Sequence, residues 1–178
     1  MAEAFVGAGS NIDPEVNVAA ALRLLAAAVR ITAVSTVYRT EAELRPEQSH
    51  YYNCVFKVET ELSPENLKHR VLRNIEEKLG RHRTADTFAA RTIDLDLLLY
   101  DDLVVTMPDL VLPDPDILRR PYLAAALKEL SPRLIVPGSR TSIDEVLSVT
   151  RCGVMTPLKE YTERLRKEID DGHQQGQD

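Results

Sequence analysis

The sequence predicts an α+β fold: a ferredoxin-like βαββαβ antiparallel sheet with additional C-terminal helices. Two observations lead to this fold class. Four short runs have the apolar pattern of strands, and segments of helical apolar period follow the first and the third of them. The second and third runs are joined by a loop alone. The strand-like runs span 3–8, 31–38, 51–60 and 88–100, and the helical segments span 13–28 and 63–80.

Length and charge restrict the class of protein. The 178 residues predict one domain, which we assign to 1–150, with 151–178 as a C-terminal helical extension and disordered tail. A net charge of −6 argues against a general nucleic-acid binder or an anionic-membrane binder. The sequence has neither a signal-peptide pattern nor an apolar stretch long enough to cross a membrane. We therefore expect a cytoplasmic protein.

The first half of the chain contains the first helix and three of the strands. Gly7 and Gly9 are expected to turn the chain into a loop, because neither a complete dinucleotide-binding motif nor a P-loop surrounds them. Asp13 and Pro14 begin the first helix, since proline is favoured at the first helical position. The polar loop at 41–50 separates two strands, and a loop of this length is often functional.

The second half begins with a helix and ends with several more. Ser63 is predicted to be the N-cap of the second long helix, with Pro64 in its first turn and Gly80 as its end. Prolines make the segment 107–116 irregular. Further helices are predicted at 121–130, 142–148 and 157–171.

Two carboxylates mark the fourth strand as the centre of the predicted site. Alternation places Asp94 and Asp96 on one face, roughly 6 to 7 Å apart along the strand. A pair of solvated surface acids is one interpretation of this pattern. The apolar run around the two acids favours another, because ionised carboxylates in a buried strand need a partner, and Mg²⁺ takes oxygen ligands. Arg81 and Arg91, close by in the sequence, would suit phosphate.

These motifs together resemble those of the 6-hydroxymethyl-7,8-dihydropterin pyrophosphokinase family of folate biosynthesis. The resemblance covers about residues 4–137, with the motifs in the same order. The matching motifs are Gly9-Ser10-Asn11, Tyr38-Arg39-Thr40, Tyr51-x-Asn53, Gly80-Arg81-x-Arg83 and the run from Arg91 through Asp94 and Asp96 to Tyr100.

The resemblance implies Mg²⁺-dependent transfer of a diphosphoryl group from ATP to the pterin hydroxymethyl group, with release of AMP. It implies two Mg²⁺ ions, held by Asp94 and Asp96. The catalytic residues would be Arg81, Arg91, Asp94 and Asp96. The ATP-binding residues would be Arg81, Arg83, Arg91 and Arg120. The pterin-binding residues would be Thr40, Leu44, Tyr51, Asn53, Phe88 and Tyr122.

Several positions depart from the family pattern. Phe88-Ala89-Ala90 replaces a usual Trp-Gly-Pro, Glu41 replaces a proline, and Asp109 and Asp114 replace basic residues. A carboxylate near a triphosphate is expected to weaken its binding. Two alternatives therefore stand beside the enzyme: a divergent paralogue acting on another pterin, and a pterin- or nucleotide-binding protein without catalysis. The expected partners are ATP and a reduced pterin, with no nucleic acid and no membrane, for a monomer or weak homodimer.

Overall fold

A computed structural model describes residues 1–82, 85–150 and 153–175, with the backbone alone described for 173–175. The main sheet has six strands, all paired antiparallel. They are β1 (Ala2–Ser10), β2 (Arg30–Val34), β3 (Tyr38–Thr40), β4 (Tyr51–Thr60), β5 (Asp94–Tyr100) and β8 (Met155–Pro157). The spatial order is β5-β1-β4-β3-β8, with β2 also paired to β4. A separate hairpin is formed by β6 (Val105–Met107) and β7 (Leu110–Leu112).

Helices cover both faces of the sheet. They are α1 (Pro14–Ala26), α2 (Pro64–Asn66), α3 (Arg73–Lys78), α4 (Pro121–Leu130), α5 (Ile143–Val149) and α6 (Lys159–Gln175). One hydrophobic core joins α1, α3 and α6 to the face that carries Ala4 and Val6. A second core joins α4 and α5 to the opposite face, which carries Phe5 and Leu98. The ferredoxin-like βαββαβ order with additional C-terminal helices is confirmed. Among the described residues, no helix is both long and apolar enough to cross a membrane.

The first strand is longer than its glycines suggested. Gly7 and Gly9 lie inside β1, paired with β4 on one side and β5 on the other, so the predicted turn at this point is wrong. At both positions, neighbouring side chains leave little room for a Cβ atom. A Cβ atom at Gly9 would lie 2.8 Å from Oδ1 of Asn53, and one at Gly7 would lie 3.3 Å from Cδ1 of Leu98.

The predicted second strand is divided into β2 and β3. Between them, the Ser35 hydroxyl accepts a hydrogen bond of 2.9 Å from the backbone N–H of Val55. A side chain thus occupies the place of a backbone acceptor, and the strand is interrupted there. The described structure also adds β7 within the segment expected to be irregular, and β8, which the sequence pattern did not indicate.

The second long helix contains a π-helical turn. Ser63 caps its start, its hydroxyl accepting from the backbone N–H of Asn66. The π turn spans Leu67–Leu72 and connects α2 to α3. Leu67 and Leu72 are both fully buried although they are five residues apart. Leu67 and Ile75 of the predicted apolar stripe are buried, whereas Leu72 is buried in place of Val71, and Glu76 becomes a buried residue.

Candidate active site

A cavity of about 400 Å³ opens on the face of the sheet that α4 covers only in part. Its floor is formed by β1, β4 and β5, and its walls by the loops that follow β3 and α3 and by the segment leading into α4. Eight residues predicted to form the site line it: Tyr51, Asn53, Phe88, Arg91, Asp94, Asp96, Arg120 and Tyr122.

Strand register sets the spacing of the cavity floor. Asn53 of β4 pairs with Gly9 of β1, which pairs with Asp94 of β5. Side chains of directly paired residues share one face, so Asn53 and Asp94 stand on either side of a glycine at about 10 Å, two strand spacings. Because Gly9 has no side chain, the floor between the amide and the carboxylate is open.

The Asn53 amide has a fixed orientation. It is buried, and its Nδ2 donates a 2.8 Å hydrogen bond to Oγ1 of Thr40 on β3. Oδ1 lies on the side of Gly9. An amide of this kind can accept from and donate to the edge of a heterocycle, and the bond to Thr40 holds it in place.

Two arginines hold Asp94. Arg81 pairs with Oδ1 of this carboxylate and Arg91 pairs with Oδ2. Although burial opposes ionisation, the two guanidinium groups keep the pKa of Asp94 below its usual range. Two guanidinium groups and the carboxylate that they stabilise are thereby concentrated at one end of the cavity.

Glu76 supports this arrangement from behind the sheet. Its carboxylate pairs with Arg81 and accepts a 2.9 Å hydrogen bond from the backbone N–H of Leu95. Glu76 is 2% exposed, so it serves as a buried counter-ion that positions the arginine. Sequence reasoning missed this residue, because a glutamate in a charged helix segment is usually solvated, and only the π turn places it inward.

Asp96 lies beside Asp94 on the same face, open to the cavity. Desolvation by the surrounding protein, followed by the negative charges of Asp94, Asp114 and Glu76, raises the pKa of Asp96. A cation next to Asp96 would offset the repulsion between its carboxylate and these negative charges. The carboxyl groups at this end of the cavity therefore favour a positively charged ligand.

The carboxylates fit a magnesium site of a particular kind. Within the residues that the structure describes, no three His, Cys, Asp or Glu side chains are arranged to hold a metal ion by themselves. Mg²⁺ is usually bound by one or two carboxylates, with water and substrate phosphates completing its shell. Asp94 and Asp96 supply that oxygen donor set, side by side in the cavity lining.

Arg120 stands on the opposite wall of the cavity. Its Nε donates a 2.8 Å hydrogen bond to Asp116, and its Nη1 donates at 3.3 Å to the Tyr122 hydroxyl. Burial raises the pKa of Tyr122 to about 12, against the effect of Arg120, so this hydroxyl stays protonated. Asp114, which also lines the cavity, accepts a 2.8 Å hydrogen bond from the backbone N–H of Asp116. Part of its carboxylate thus caps the 3₁₀ helix Pro115–Leu118.

Asn11 connects the two loops that flank the cavity. Its Oδ1 accepts from the backbone N–H of Arg91 at 2.8 Å, and its Nδ2 donates to Oε1 of Gln48 at 3.1 Å. Gln48 in turn donates to the carbonyl of Phe88 at 2.9 Å. The loop before β4 and the loop before β5 are therefore held together by side-chain amides. Asn11 belongs to a matching motif, but its role depends on contacts distant in sequence.

The remaining predicted residues lie around the cavity or outside the described part. Thr40 supports Asn53 from behind and does not itself line the cavity. Leu44 is 75% exposed and lies outside the lining, whereas the adjacent Ala42 and Glu43 line it. Arg81 lines a smaller neighbouring pocket and reaches the cavity through its pair with Asp94. Arg83 lies outside the described residues.

Comparison with known proteins gives a consistent set of relatives. A sequence model of the family described as 7,8-dihydro-6-hydroxymethylpterin-pyrophosphokinase matches residues 5–132. A Synechocystis protein named 2-amino-4-hydroxy-6-hydroxymethyldihydropteridine pyrophosphokinase is 33% identical over 158 residues, covering 87% of this chain and 80% of that protein. The folic acid synthesis protein fol1 of Schizosaccharomyces pombe is 35% identical over 147 residues, covering 81% of this chain and 20% of that protein.

A solved structure shares the fold. The crystal structure of a Plasmodium falciparum HPPK-DHPS variant matches with a TM-score of 0.68 at 14% identity, covering 83% of this chain and 44% of that chain. At this identity the likeness shows the fold alone. The chain thus spans most of the Synechocystis relative, about a fifth of fol1, and less than half of the Plasmodium chain.

Proposed function

This chain belongs to the 7,8-dihydro-6-hydroxymethylpterin-pyrophosphokinase family, and we propose that its cavity is where a diphosphoryl group passes from ATP to the hydroxymethyl group of the reduced pterin. Family membership and the named relatives support a pterin pyrophosphokinase of folate synthesis. In the proposed reaction the hydroxymethyl oxygen attacks the β-phosphorus of ATP. The bond from this phosphorus to the oxygen bridging it to the α-phosphorus breaks, and AMP leaves.

The observation that carries the proposal is the pairing of Asn53, Gly9 and Asp94 across three strands. It places the Asn53 amide and the Asp94 carboxylate with its two arginines about 10 Å apart on one open floor. A pterin ring bound at the amide would direct its hydroxymethyl group toward the acidic end. The two halves of the site therefore match the two halves of the reaction.

The pterin half of the site orients the acceptor. Asn53 pairs with the amide and amino edge of the ring, using the orientation that Thr40 imposes. Tyr51 and Tyr122 lie in the lining and stack on the ring, as aromatic side chains do. Phe88, also in the lining, covers the ring from the loop side without donating a hydrogen bond. Holding the hydroxyl in line with the phosphorus supplies much of the rate enhancement.

The phosphate half of the site stabilises charge. Arg91 and Arg81, already beside Asp94, bind phosphate oxygens with their planar guanidinium groups. Arg120 binds from the opposite wall, and Arg83 is proposed as a further phosphate ligand. Asp94 and Asp96 would hold two Mg²⁺ ions together with the triphosphate. Bound Mg²⁺ supplies positive charge at the phosphates and orients them for displacement.

Release of AMP tests the proposed reaction directly. Purified protein with Mg·ATP and 6-hydroxymethyl-7,8-dihydropterin is expected to form AMP and the pterin diphosphate in equal amounts, measured by chromatography. Omission of the pterin or chelation of the metal should abolish AMP formation. AMP formed at the same rate without pterin, or no product while the pterin still binds by calorimetry, would contradict the proposal.

Replacement of Gly9 by alanine tests the pterin half. The new Cβ would lie 2.8 Å from Oδ1 of Asn53, so the amide must move. We expect a rise in the pterin KM of about tenfold, with the ATP KM unchanged. Gly153→Ala is the matched control, because nothing lies within 4 Å of a Cβ at that position. Equal pterin KM values for the two variants would count against Asn53 as a pterin ligand.

A further inference from the structure

The C-terminal segment, residues 155–175, forms the edge of the sheet next to the pterin half of the site. It lies beyond the range 5–132 that the family model matches. β8 pairs with β3, in the register Tyr38 with Pro157 and Thr40 with Met155. β3 is only three residues long, and its other edge pairs with Tyr51 and Asn53. Without β8, this short strand would be a free edge.

Contacts from α6 hold the residues that lead into β3. The buried backbone N–H of Val37 donates to Oγ1 of Thr162 at 2.9 Å, and the Val37 carbonyl accepts from the backbone N–H of Leu158 at 2.8 Å. Further upstream, Arg166 donates through Nε to the carbonyl of Val34 at 3.0 Å. The segment 34–40 is therefore fixed to the C-terminal segment at several backbone atoms.

The same helix packs beneath β4 at the pterin end. Tyr161 is 6% exposed, and its ring lies 5.7 Å from the ring of Tyr52, centroid to centroid. Tyr52 stands between Tyr51 and Asn53 in sequence and faces the other side of the sheet. The hydroxyl of Tyr161 donates at 2.7 Å to the carbonyl of Glu15, which ties this contact to α1.

From these contacts we propose that the C-terminal segment positions the pterin-binding edge of this enzyme, acting through Thr40 on Asn53; the proposal rests on the proposed function. Thr40 orients the Asn53 amide, and β3 carries Thr40. If the segment 34–40 opens locally, the fraction of molecules with a correctly placed amide falls. The apparent dissociation constant for the pterin rises in proportion to that loss. ATP binds at the other end of the floor, so its affinity is independent of the C-terminal segment.

Thr162→Val tests the proposal with little change of shape. Valine removes the acceptor for the Val37 N–H, and Thr162→Ser restores a hydroxyl at the same place. An unpaired buried N–H costs on the order of 1 kcal/mol, which shifts the opening equilibrium of the segment about fivefold and sets about fivefold as the upper limit for the rise in the pterin dissociation constant and pterin KM. We expect a rise within this limit for valine, near wild-type values for serine, and an unchanged ATP KM for both. Glu168→Gln is the matched control, because on the same helix it contacts Arg23 of α1 and not the segment 34–40.

The outcomes separate this inference from the proposed function. A lower melting temperature for Thr162→Val with unchanged pterin affinity would reduce Thr162 to a structural residue and overturn the inference. Equal increases in the pterin and ATP dissociation constants would also overturn it.

A second variant covers the case in which Thr162→Val does not fold. Arg166→Met removes the donor to the Val34 carbonyl and changes a half-exposed side chain, so it should also raise the pterin dissociation constant. A wild-type protein that binds the pterin but forms no AMP would refute the proposed reaction, while calorimetry of the variants would still decide the positioning role.

Discussion

Asp96→Asn is expected to reduce turnover by about a thousandfold or more, because it removes one of the two carboxylates that are proposed to hold the metal ions against the phosphates. The fold should survive the change. Desolvation, followed by the negative charges of Asp94, Asp114 and Glu76, raises the pKa of Asp96. Removing the charge of Asp96 relieves repulsion, so the melting temperature at pH 8 should equal or exceed that of the wild type. AMP release under saturating Mg·ATP and differential scanning calorimetry measure the two effects.

Asp94→Asn provides the contrast for this prediction. Asp94 compensates the charges of Arg81 and Arg91, and a buried or half-buried charge without its partner is costly. We expect the same loss of turnover, now with a lowered melting temperature. If both variants retained wild-type turnover, the metal assignment would be wrong. If both lost stability equally, the described charge distribution around Asp96 would be wrong.

Arg91→Ala is expected to lower kcat by about a hundredfold to a thousandfold, with a smaller effect on the ATP KM. Its guanidinium group lies beside Asp94 at the end of the cavity where the transferred phosphate would gain charge. Arg91→Lys keeps the charge and loses the planar fork, so an intermediate rate is expected. Single-turnover measurement of AMP formation separates the chemical step from substrate binding.

Arg119→Ala is a suitable control for the loss of a positive charge near the cavity. Its side chain is 74% exposed and lies 4.0 Å from Asp116, so kcat should be unchanged. An Arg91→Ala variant with a wild-type kcat and a raised ATP KM would show that Arg91 contributes to ground-state binding alone. In that case, charge stabilisation during transfer would have to come from Arg81, Arg120 and the metal ions.

Local patterns predicted most of the fold and the central acids. The alternation around Asp94 and Asp96, the cap at Ser63 and the helix ending at Leu130 depend on neighbouring residues, and each is present in the structure. The resemblance added further site residues, and eight of all the predicted site residues line the cavity together. How each of them acts stays a prediction.

Features that depend on distant contacts were missed. Gly7 and Gly9 looked like turn residues, because the side chains that leave no room for a Cβ atom belong to other strands. These side chains are Leu98 beside Gly7 and Asn53 beside Gly9. β8 was not predicted, because three residues are too few to show the alternating apolar pattern of a strand. Its pairing partner also lies more than a hundred positions earlier in the chain. Residues such as Glu76 and Asn11 are recognisable only when their hydrogen-bond partners are known.

The π turn at Leu67–Leu72 determines which residues of the following helix face the sheet. An α-helix rotates by about 100° per residue, so Leu67 and Glu76, nine positions apart, would face opposite directions in an unbroken α-helix. The wider turn absorbs one residue and brings both inward. Deleting a single residue within the turn would convert it into an ordinary α-helical turn and leave Glu76 facing Arg81. The turn therefore holds one residue more than the direction of Glu76 requires, and a change in length is tolerated there without loss of the Glu76–Arg81 pair.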